Sequence, residues 1–250
     1  MSDQSIKPVF EELYGEEQSL DALPALTPWD IGGPQPVIQE LVAYGALRGE
    51  VLDPGTGPGH HAIHYASKGY STTGIDASPT AIQRAKHNAQ NAGVEVDFQI
   101  GDVTKLDGYE NRFDTVVDAA CYHTFLDDED TQKLYAQTLH RATKPGARLY
   151  MFEFGRHNVN GLQFPGLSAE VLERVLSASG WHIDYLGTTT YRARFDPEQF
   201  AKMSEFAGQE FPEFESLLAP MLQKLQVIAP LLEDHLVHMP VWALHATRVD

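Results

Sequence analysis

The chain of 250 residues is poor in cysteine, in basic residues and in long apolar runs. Cys121 is the single cysteine, so no intramolecular disulfide can form, which fits a reducing compartment. Lys and Arg number 18 against 35 Asp and Glu, which gives a formal net charge of -17. Because a field of that sign repels phosphate backbones, the composition disfavours a nucleic-acid partner.

The N-terminal stretch MSDQSIKPVFEELYGEEQ is polar and acidic, and it lacks the apolar centre of a signal peptide. No apolar run reaches the length that crosses a bilayer. We therefore expect a cytoplasmic protein without a membrane partner. The hydrophobic content of 42% suffices for one sizeable core with an added lobe.

The middle of the chain alternates between apolar runs and helical patterns. A helix is predicted to begin at Ser78-Pro79 and to stop at Gly93, and two more at 130–142 and 168–179. Strand–helix alternation predicts an α/β fold with a mostly parallel sheet covered on both faces. The predicted strands are 50–53, 71–76, 94–100, 113–119, 148–154 and a closing strand at 241–247.

Two regions depart from this alternation and divide the chain. Residues 1–46 precede the first strand and contain the proline-rich piece TPWDIGGPQP, and residues 196–239 are rich in aromatic residues and Met. We expect a Rossmann-like domain at 47–195 and 240–250, with 196–239 inserted as a helical lid or a dimer face; simple core packing is the alternative. The apolar stripe comprises Phe200, Met203, Phe206, Phe214, Leu217, Leu218, Met221, Leu222, Leu225 and Ile228.

The stretch VLDPGTGPGHHA places three glycines at alternate positions directly after the first strand. Gly55, Gly57 and Gly59 allow the backbone to approach a ligand closely, and the following helix points amide hydrogens at it. A dinucleotide fingerprint requires glycine at its sixth position, where this chain has His60. Because the loop also lacks Lys and Arg, its ligand need not carry phosphate.

Acidic residues stand at the ends of three predicted strands. Asp53 precedes the glycine loop, where a carboxylate suits an ammonium group, and Asp76 follows at the distance of a ribose-binding acid. Asp102 ends the third strand, within reach of an adenine amino group. An amino acid, a ribose and an adenine without phosphate together describe S-adenosylmethionine, whose sulfonium suits an acidic pocket.

With VLDPGTGPG, GIDAS, GDV and FDTVVDAACYHTF in order, residues 10–190 resemble the class I S-adenosylmethionine-dependent methyltransferases. The resemblance implies a seven-stranded sheet whose last strand is antiparallel, and S-adenosylhomocysteine as a product. It also implies a set of donor-binding residues. These are Asp53, Gly55, Thr56, Gly57 and Gly59 at the methionine moiety, Asp76 and Ala77 at ribose, Asp102 and Val103 at adenine, and Asp118 beside the donor.

The pieces FEELY and PWDIGGPQP resemble the opening of a small-molecule group in that family. The group includes the thiopurine, halide and thiol methyltransferases, and the heterocyclic toxin methyltransferases resemble this chain most. The resemblance implies that segment 1–46 folds over the donor, with Tyr14, Trp29 and Gly33 near it. It implies a small aromatic or heterocyclic acceptor that is methylated on oxygen or sulfur.

His123, just past the fourth predicted strand, is the candidate base that would take a proton from a hydroxyl acceptor. Its alternative role is to pack or to cap the next segment. Tyr122 is a candidate for orienting the acceptor, with packing as its alternative. An acceptor that is already ionised needs no base, so the chemistry can proceed by alignment and exclusion of water alone.

Metal binding is the less favoured explanation of the remaining clusters, and we expect no metal. His60 and His64 have zinc-ligand spacing but lack a third ligand in the sequence pattern, and His61 has no better claim. The acidic run 127–130 fits a helix start, where negative charge suits the dipole. Cys121 fits a small buried position.

Two other functions stay open at this point. One is a nicotinamide-dependent oxidoreductase, against which His60 argues, and the other is a protein that binds the donor without catalysis. Methylation of nucleic acid or protein is disfavoured because the chain is acidic and reads Asp118-Ala-Ala-Cys-Tyr after the fourth strand, not an Asn-Pro-Pro-Tyr type of motif. The identity of the acceptor and a possible homodimer are left open.

Overall fold

The computed structural model describes residues 11, 13–15, 20, 27–126, 128–159, 161–163, 166–195 and 223–250. Seven strands form one sheet, and two very short strands pair as a hairpin. The strands are β1 (Glu50–Pro54), β2 (Ser71–Asp76), β3 (Asp97–Ile100), β4 (Phe113–Ala119), β5 (Thr143–Phe154), β6 (Asn158–Val159), β7 (Leu162–Gln163), β8 (Trp181–Arg194) and β9 (Leu236–Arg248).

Helices fill most of the connections between these strands. The α-helices are α1 (Pro36–Ala43), α2 (His60–Ser67), α3 (Pro79–Ala92), α4 (Glu129–Ala142) and α5 (Ala169–Ala178), and residues 223–228 are also helical. Single 3₁₀ turns occupy Tyr122–Phe125, Ala229–Leu231 and Glu233–His235. Of the described helices, none is both long enough and apolar enough to cross a bilayer.

The strand order is β3-β2-β1-β4-β5-β9-β8, which confirms the predicted Rossmann-like α/β fold. Strands β1 to β5 pair in parallel, and β9 is antiparallel to both β5 and β8. The order reverses between β1 and β4. In sheets of this type, ligands bind at that switch point, outside the carboxyl ends of the strands.

Apolar side chains cover both faces of the sheet because neighbouring residues of a strand point to opposite sides. Val116 packs in a cluster with α4 and α5, whereas Val117 packs in a second cluster with α1 and α2. Leu225 and Ala229, from the predicted insertion, are buried in that second cluster. The predicted apolar stripe from Phe200 to Leu222 lies outside the described residues.

The predicted helix starts are confirmed by their caps. The Ser78 hydroxyl accepts a hydrogen bond from the Ala81 amide, and Pro79 stands at the first helical position of α3. The carboxylate of Asp128 caps α4 by accepting from the Thr131 amide, with Glu129 and Asp130 in the first turn. The acidic run is thus a helix start over the part that the structure describes.

Several predicted boundaries were wrong for local reasons. β3 begins at Asp97 because the Val94 amide instead closes α3 by bonding to the Ala89 carbonyl. β5 begins at Thr143, five residues before the predicted start, and residues 144–147 lie where its pairing with β4 shifts register. β9 begins at Leu236, and Pro240 is tolerated because β5 has already ended at Phe154. Residues 236–239, which were predicted to belong to the insertion, are therefore part of strand β9.

The local sequence patterns predicted neither strand β8 nor helix α1. β8 runs for 14 residues and pairs with β9 along its length, yet its sequence mixes polar and apolar residues without strict alternation. The strand lies at the sheet edge and is mostly partly exposed, so burial imposes no regular pattern on it. α1 begins at Pro36 in a stretch that reads as a proline-rich loop.

Candidate active site

The glycine loop crosses the carboxyl end of β1 and is fixed to the neighbouring strand. The amides of Gly55 and Thr56 both donate to the carbonyl of Ile75, at 2.8 and 3.0 Å. Gly57 has a φ of 52°, and a Cβ there would lie 2.8 Å from the Tyr14 hydroxyl oxygen. Gly59 begins α2 with a φ of 81° and packs against Phe98. Only glycine fits these two positions without displacing neighbours.

Two carboxylates flank this loop and organise it. Asp53 Oδ2 accepts from the Thr56 hydroxyl at 2.6 Å, and Asp76 Oδ2 accepts from the Gly57 amide at 2.8 Å. Burial raises the pKa of Asp53 to about 7. Burial also raises the pKa of Asp76. A cationic group here would relieve the cost of ionising these acids.

The adenine end predicted from GDV is arranged differently from the other two strand ends. Asp102 Oδ1 accepts from the amide and the hydroxyl of Thr104, at 3.0 and 2.6 Å, and Oδ2 pairs with Lys105 at 2.9 Å. Val103 and Ala77 are partly exposed. The carboxylate of Asp102 therefore already has partners within its own turn.

The described part of the N-terminal segment lies on the glycine loop. Tyr14 is buried, hydrogen-bonds the Trp29 side chain, and has its pKa raised by burial and by Asp76. The Glu11 carboxylate accepts from the hydroxyls of Ser78 and Thr80 at the start of α3. Tyr14 therefore lies beside Gly57 of the loop, with Trp29 as its hydrogen-bond partner, and the position of both residues near the donor stays a prediction.

The two sequence pieces PWDIGGPQP and Gly-His-His contact each other. Asp30 Oδ1 lies 3.0 Å from His60 Nε2, and the Gln35 amide donates to His61 Nε2 at 3.3 Å. Gln35 also exchanges two hydrogen bonds, both of 2.8 Å, with the backbone of Arg192 in β8. These bonds hold the segment against the switch point, and Gly33 lies between them, partly exposed, with open space around its α-carbon.

Two of the three histidines of α2, His60 and His61, make this packing contact. Burial and His60 lower the pKa of His61 to about 3, so it is neutral and accepts from its neighbours through Nε2. Tyr191 in β8 also contacts that nitrogen, at 3.3 Å. Over the described residues, no group of three or more His, Cys, Asp or Glu side chains is arranged to hold a metal ion.

His123 stands on the 3₁₀ turn after β4, at the far side of the switch point. Its Nδ1 lies 2.9 Å from Glu153 Oε2, and its ring is 24% exposed. The ring packs edge-on against Phe154, with centroids 4.8 Å apart. Burial lowers the pKa of His123 to about 4, so the imidazole is neutral at physiological pH.

Tyr122 and Asp118 lie deeper than the resemblance implies. Tyr122 is fully buried and its hydroxyl contacts Gln132 at 3.4 Å, which fits the packing alternative. Asp118 is also fully buried; it accepts from the Cys121 amide at 2.9 Å and from the Tyr135 hydroxyl at 2.7 Å. Cys121 is buried beneath Gly55, as expected.

Sequence reasoning missed four residues of this region. They are Glu11, Tyr65, Glu153 and Tyr191. Glu153 carried a usable signal, because it is the single acid within the apolar strand LYMFEF. Tyr65 carried none, since it reads as an ordinary core residue of α2, yet its hydroxyl is buried with no hydrogen-bond partner among the described residues.

A separate open groove of about 690 Å³ lies on the β3 side of the sheet. It is lined at the amino ends of β2 and β3, opposite to the glycine loop, by Ser71, Thr72, Lys86, Ala89, Gln90, Val94, Glu95, Val96, Asp97 and Phe98. Ligands of this fold bind at the carboxyl ends, so we assign this groove no role.

The residues at the switch point fit S-adenosylmethionine. Gly57 offers a backbone cradle that a Cβ would fill, Asp53 and Asp76 offer buried carboxylates, and Tyr65 offers a hydroxyl without a hydrogen-bond partner in the described part of the chain. Fold and site together define a nucleoside-binding Rossmann-like protein of the methyltransferase type.

Similarity to known proteins assigns the chain to the same class of protein. A family model described as a methyltransferase domain matches residues 51–146. The 2-heptyl-1-hydroxyquinolin-4(1H)-one methyltransferase of Mycobacteroides abscessus is 32% identical over 216 residues, which cover 84% of this chain and 90% of that protein. A structure described as converting a disulfide bond into a thioacetal group during echinomycin biosynthesis has a TM-score of 0.72 and 28% identity, over 98% and 93% of the two chains.

A third similarity concerns the fold alone. The 1,6-didemethyltoxoflavin-N1-methyltransferase of Burkholderia thailandensis, solved with S-adenosylhomocysteine, has a TM-score of 0.59 at 17% identity, over 99% of this chain and 88% of that one. The chain belongs to the class I S-adenosylmethionine-dependent methyltransferases and is an enzyme of that family. The oxidoreductase alternative is therefore not retained.

Proposed function

We propose that this enzyme transfers the methyl group of S-adenosylmethionine to an oxygen of a small, hydroxylated aromatic heterocycle. The observation that carries the proposal is the His123 imidazole, neutral and partly exposed on the acceptor side of the switch point. A hydroxyl acceptor must lose a proton, whereas a thiolate or halide need not. A base positioned beside the acceptor therefore favours oxygen over sulfur or iodide as the methylated atom.

The proposed acceptor matches the walls around His123. Phe154 contacts the ring, Tyr191 contacts Phe154 at 6.3 Å between centroids, and Trp29 packs against the same apolar cluster. Flat aromatic walls suit a flat aromatic acceptor. The hydroxyquinolone named for the Mycobacteroides relative supports a hydroxylated heterocycle.

The donor is proposed to lie along the strand ends as the family resemblance implies. Asp53 and the glycine loop would hold its amino acid portion, Asp76 and Ala77 its ribose, and Asp102 and Val103 its adenine. When bound, the donor supplies an electrophilic methyl group on a cationic sulfur. We further propose that segment 1–46 covers the donor, with Tyr14 and Trp29 against the loop, and that 196–239 helps to enclose the acceptor.

Sulfur is the second candidate for the attacked atom. It is supported by the similar structure whose description concerns sulfur chemistry. In that case His123 would pack beside the acceptor, because a thiol with a pKa near the assay pH supplies its own thiolate.

The test is labelled-methyl transfer from S-adenosylmethionine to a panel of hydroxyquinolones, phenols, thiols and iodide. The proposal predicts label in a hydroxylated heterocycle and little label in iodide. Label confined to thiols would support the second candidate. Tight binding of S-adenosylhomocysteine without label in any acceptor would contradict both assignments of the acceptor and favour a donor-binding role.

A further inference from the structure

Glu153 is a fully buried acid on β5, directly behind His123. Its Oε2 accepts from the His123 amide and contacts His123 Nδ1, both at 2.9 Å, and its Oε1 accepts from the Tyr122 amide at 3.3 Å. Two backbone bonds therefore fix the carboxylate, and the imidazole is its remaining contact toward the acceptor side.

This geometry selects one tautomer of His123. A carboxylate accepts hydrogen bonds, so the proton of the neutral ring lies on Nδ1 and the lone pair lies on Nε2. Nε2 has no hydrogen-bond partner among the described residues, and the ring is partly exposed while Glu153 is not. The proton-accepting nitrogen is thus the one that remains available to an acceptor.

Asp118 completes the arrangement from the other side of Glu153. The two carboxyl side chains hydrogen-bond each other, which requires a proton between them. Burial and the adjacent Glu153 raise the pKa of Asp118 well above its usual range, whereas the pKa of Glu153 is raised to about 7. Glu153 is therefore the member of the pair that ionises first, and Asp118 is the member that holds the shared proton more tightly.

The titratable groups that face the pair come from β1, from the 3₁₀ turn and the residue before it, and from α4 and β8. Burial raises the pKa of each apart from His123. They are Asp53, Cys121, Tyr122, His123, Tyr135 and Tyr191. His123 is the member that can become a cation beside Glu153.

We propose that Glu153 is a positioning residue that holds His123 in the tautomer able to take the proton of the acceptor hydroxyl, with protonated Asp118 fixing Glu153 in turn. This inference rests on the proposed function. It adds a residue that acts through His123 and does not touch the acceptor itself.

The step balances without any further reagent. The acceptor O–H bond breaks and its proton passes to His123 Nε2, while the oxygen forms a bond to the methyl carbon. The carbon–sulfur bond of the donor breaks and its electron pair stays on sulfur as a neutral thioether. The new imidazolium lies 2.9 Å from the Glu153 carboxylate and later releases its proton to solvent.

A purely structural role is the competing explanation, because Glu153 also bonds to the amides that form the 3₁₀ turn. The two roles differ in their dependence on the acceptor. A structural defect displaces His123 and its neighbours for every acceptor alike. A lost proton acceptor matters only for acceptors that still carry their proton at the assay pH.

The experiment compares wild type with Glu153→Gln, His123→Gln and the exposed control Glu170→Gln. Turnover is measured across hydroxylated acceptors of graded acidity, and donor binding is measured by calorimetry with S-adenosylhomocysteine. We expect Glu153→Gln to lower kcat about 100-fold or more for weakly acidic hydroxyls and less than about threefold for ionised acceptors. Donor affinity stays within about twofold, and Glu170→Gln changes nothing. An equal loss for all acceptors overturns the proposal.

A second measurement needs no acceptor, and its result still tests this inference if the proposed function is wrong. Nitrogen-15 NMR of the histidine rings, with His123 assigned by its loss in His123→Gln, reports the tautomer directly. Wild type is expected to carry the proton on Nδ1 of His123. A proton on Nε2 overturns the proposal even when methyl transfer to oxygen is observed, and it does so whether or not Glu153→Gln folds.

Discussion

The proposed donor side and the proposed acceptor side of the switch point are built in different ways. On the donor side, backbone geometry and strand-end carboxylates come from one short stretch, residues 53–76, and are held by bonds such as Gly57 to Asp76 at 2.8 Å. On the acceptor side, His123, Glu153 and Tyr191 come from three separate elements and are joined by side-chain contacts. A donor common to a family can be bound by a local motif, whereas an acceptor particular to one enzyme requires side chains gathered from distant positions.

The largest expected effect on the donor side is that of Gly57→Ala. The left-handed backbone costs an L-residue about 1–2 kcal/mol, and the new Cβ would lie 2.8 Å from the Tyr14 hydroxyl. We expect the Kd for S-adenosylhomocysteine, measured by calorimetry, to rise about 30-fold or more. Gly69→Ala is the matched control, because its φ is 90° with open space around it. If Gly57→Ala and Gly69→Ala changed donor affinity equally, the glycine loop would have no special role in donor binding.

The next effect is the pH dependence of donor binding. Burial raises the pKa of Asp53 to about 7, and Tyr65 and Tyr191 also face this carboxyl group. Below that pH the carboxyl becomes neutral and loses its attraction for the donor ammonium. Donor affinity should therefore fall up to about tenfold per unit as pH drops below 7.

The same pKa shift has the opposite effect on the stability of the donor-free protein. Because the folded pKa of Asp53 exceeds its usual value of 3.8, the folded state binds the proton more tightly, and stability falls as pH rises from about 4 to about 7. Asp53→Asn should remove the pH dependence of donor binding and leave donor-free stability undiminished at neutral pH. Donor affinity that is flat from pH 6 to pH 8 would contradict this assignment.

A smaller effect is expected at Trp29, which hydrogen-bonds Tyr14 and packs against the apolar cluster that includes Tyr191. Trp29→Phe keeps the apolar ring and removes the hydrogen bond to Tyr14. The loss of about 1 kcal/mol should raise the donor Kd about fivefold and leave the acceptor KM within about twofold. Tyr14→Phe should add nothing further in the double variant, since both changes break one contact. A change in the acceptor KM without a change in the donor Kd would instead assign Trp29 to the acceptor site.

The smallest effect is expected at Glu11. Its carboxylate accepts from Ser78, and from the hydroxyl and the amide of Thr80, the latter at 3.2 Å. Glu11→Gln keeps one oxygen, so we expect donor dissociation, followed by stopped-flow fluorescence, to accelerate about threefold. Glu40→Gln, on the exposed face of α1, is the control. An unchanged rate would show that this end of the segment does not hold the donor.

The sequence located the glycine loop and its strand-end carboxylates because their signals are local. Gly55, Gly57 and Gly59 follow an apolar run, Asp76 stands at a fixed distance, and strand–helix alternation predicts the sheet around them. On the proposed acceptor side the sequence singled out His123 and Tyr122, whose roles stay predictions. Glu153 becomes meaningful when β5 is placed beside β4, a pairing across 30 or more positions that no local pattern records.

The boundaries that were wrong have the same cause. β8 and the first half of β9 are strands because they pair with each other, and Pro240 reads as a breaker until the end of β5 is known. The helical patterns of 196–222 fall on residues that the structure does not describe, so the proposed lid stays a prediction.

The central claim is tested most directly by the position of the transferred methyl group. The enzyme is given donor carrying a carbon-13 methyl and a hydroxyquinolone whose hydroxyl group keeps its proton at the assay pH, and the product is examined by carbon-13 NMR. The account predicts a methoxy carbon on the ring hydroxyl oxygen, formed by wild type and nearly lost in His123→Gln. A methyl group on ring carbon or nitrogen, or a methoxy product that forms equally fast without His123, would contradict it.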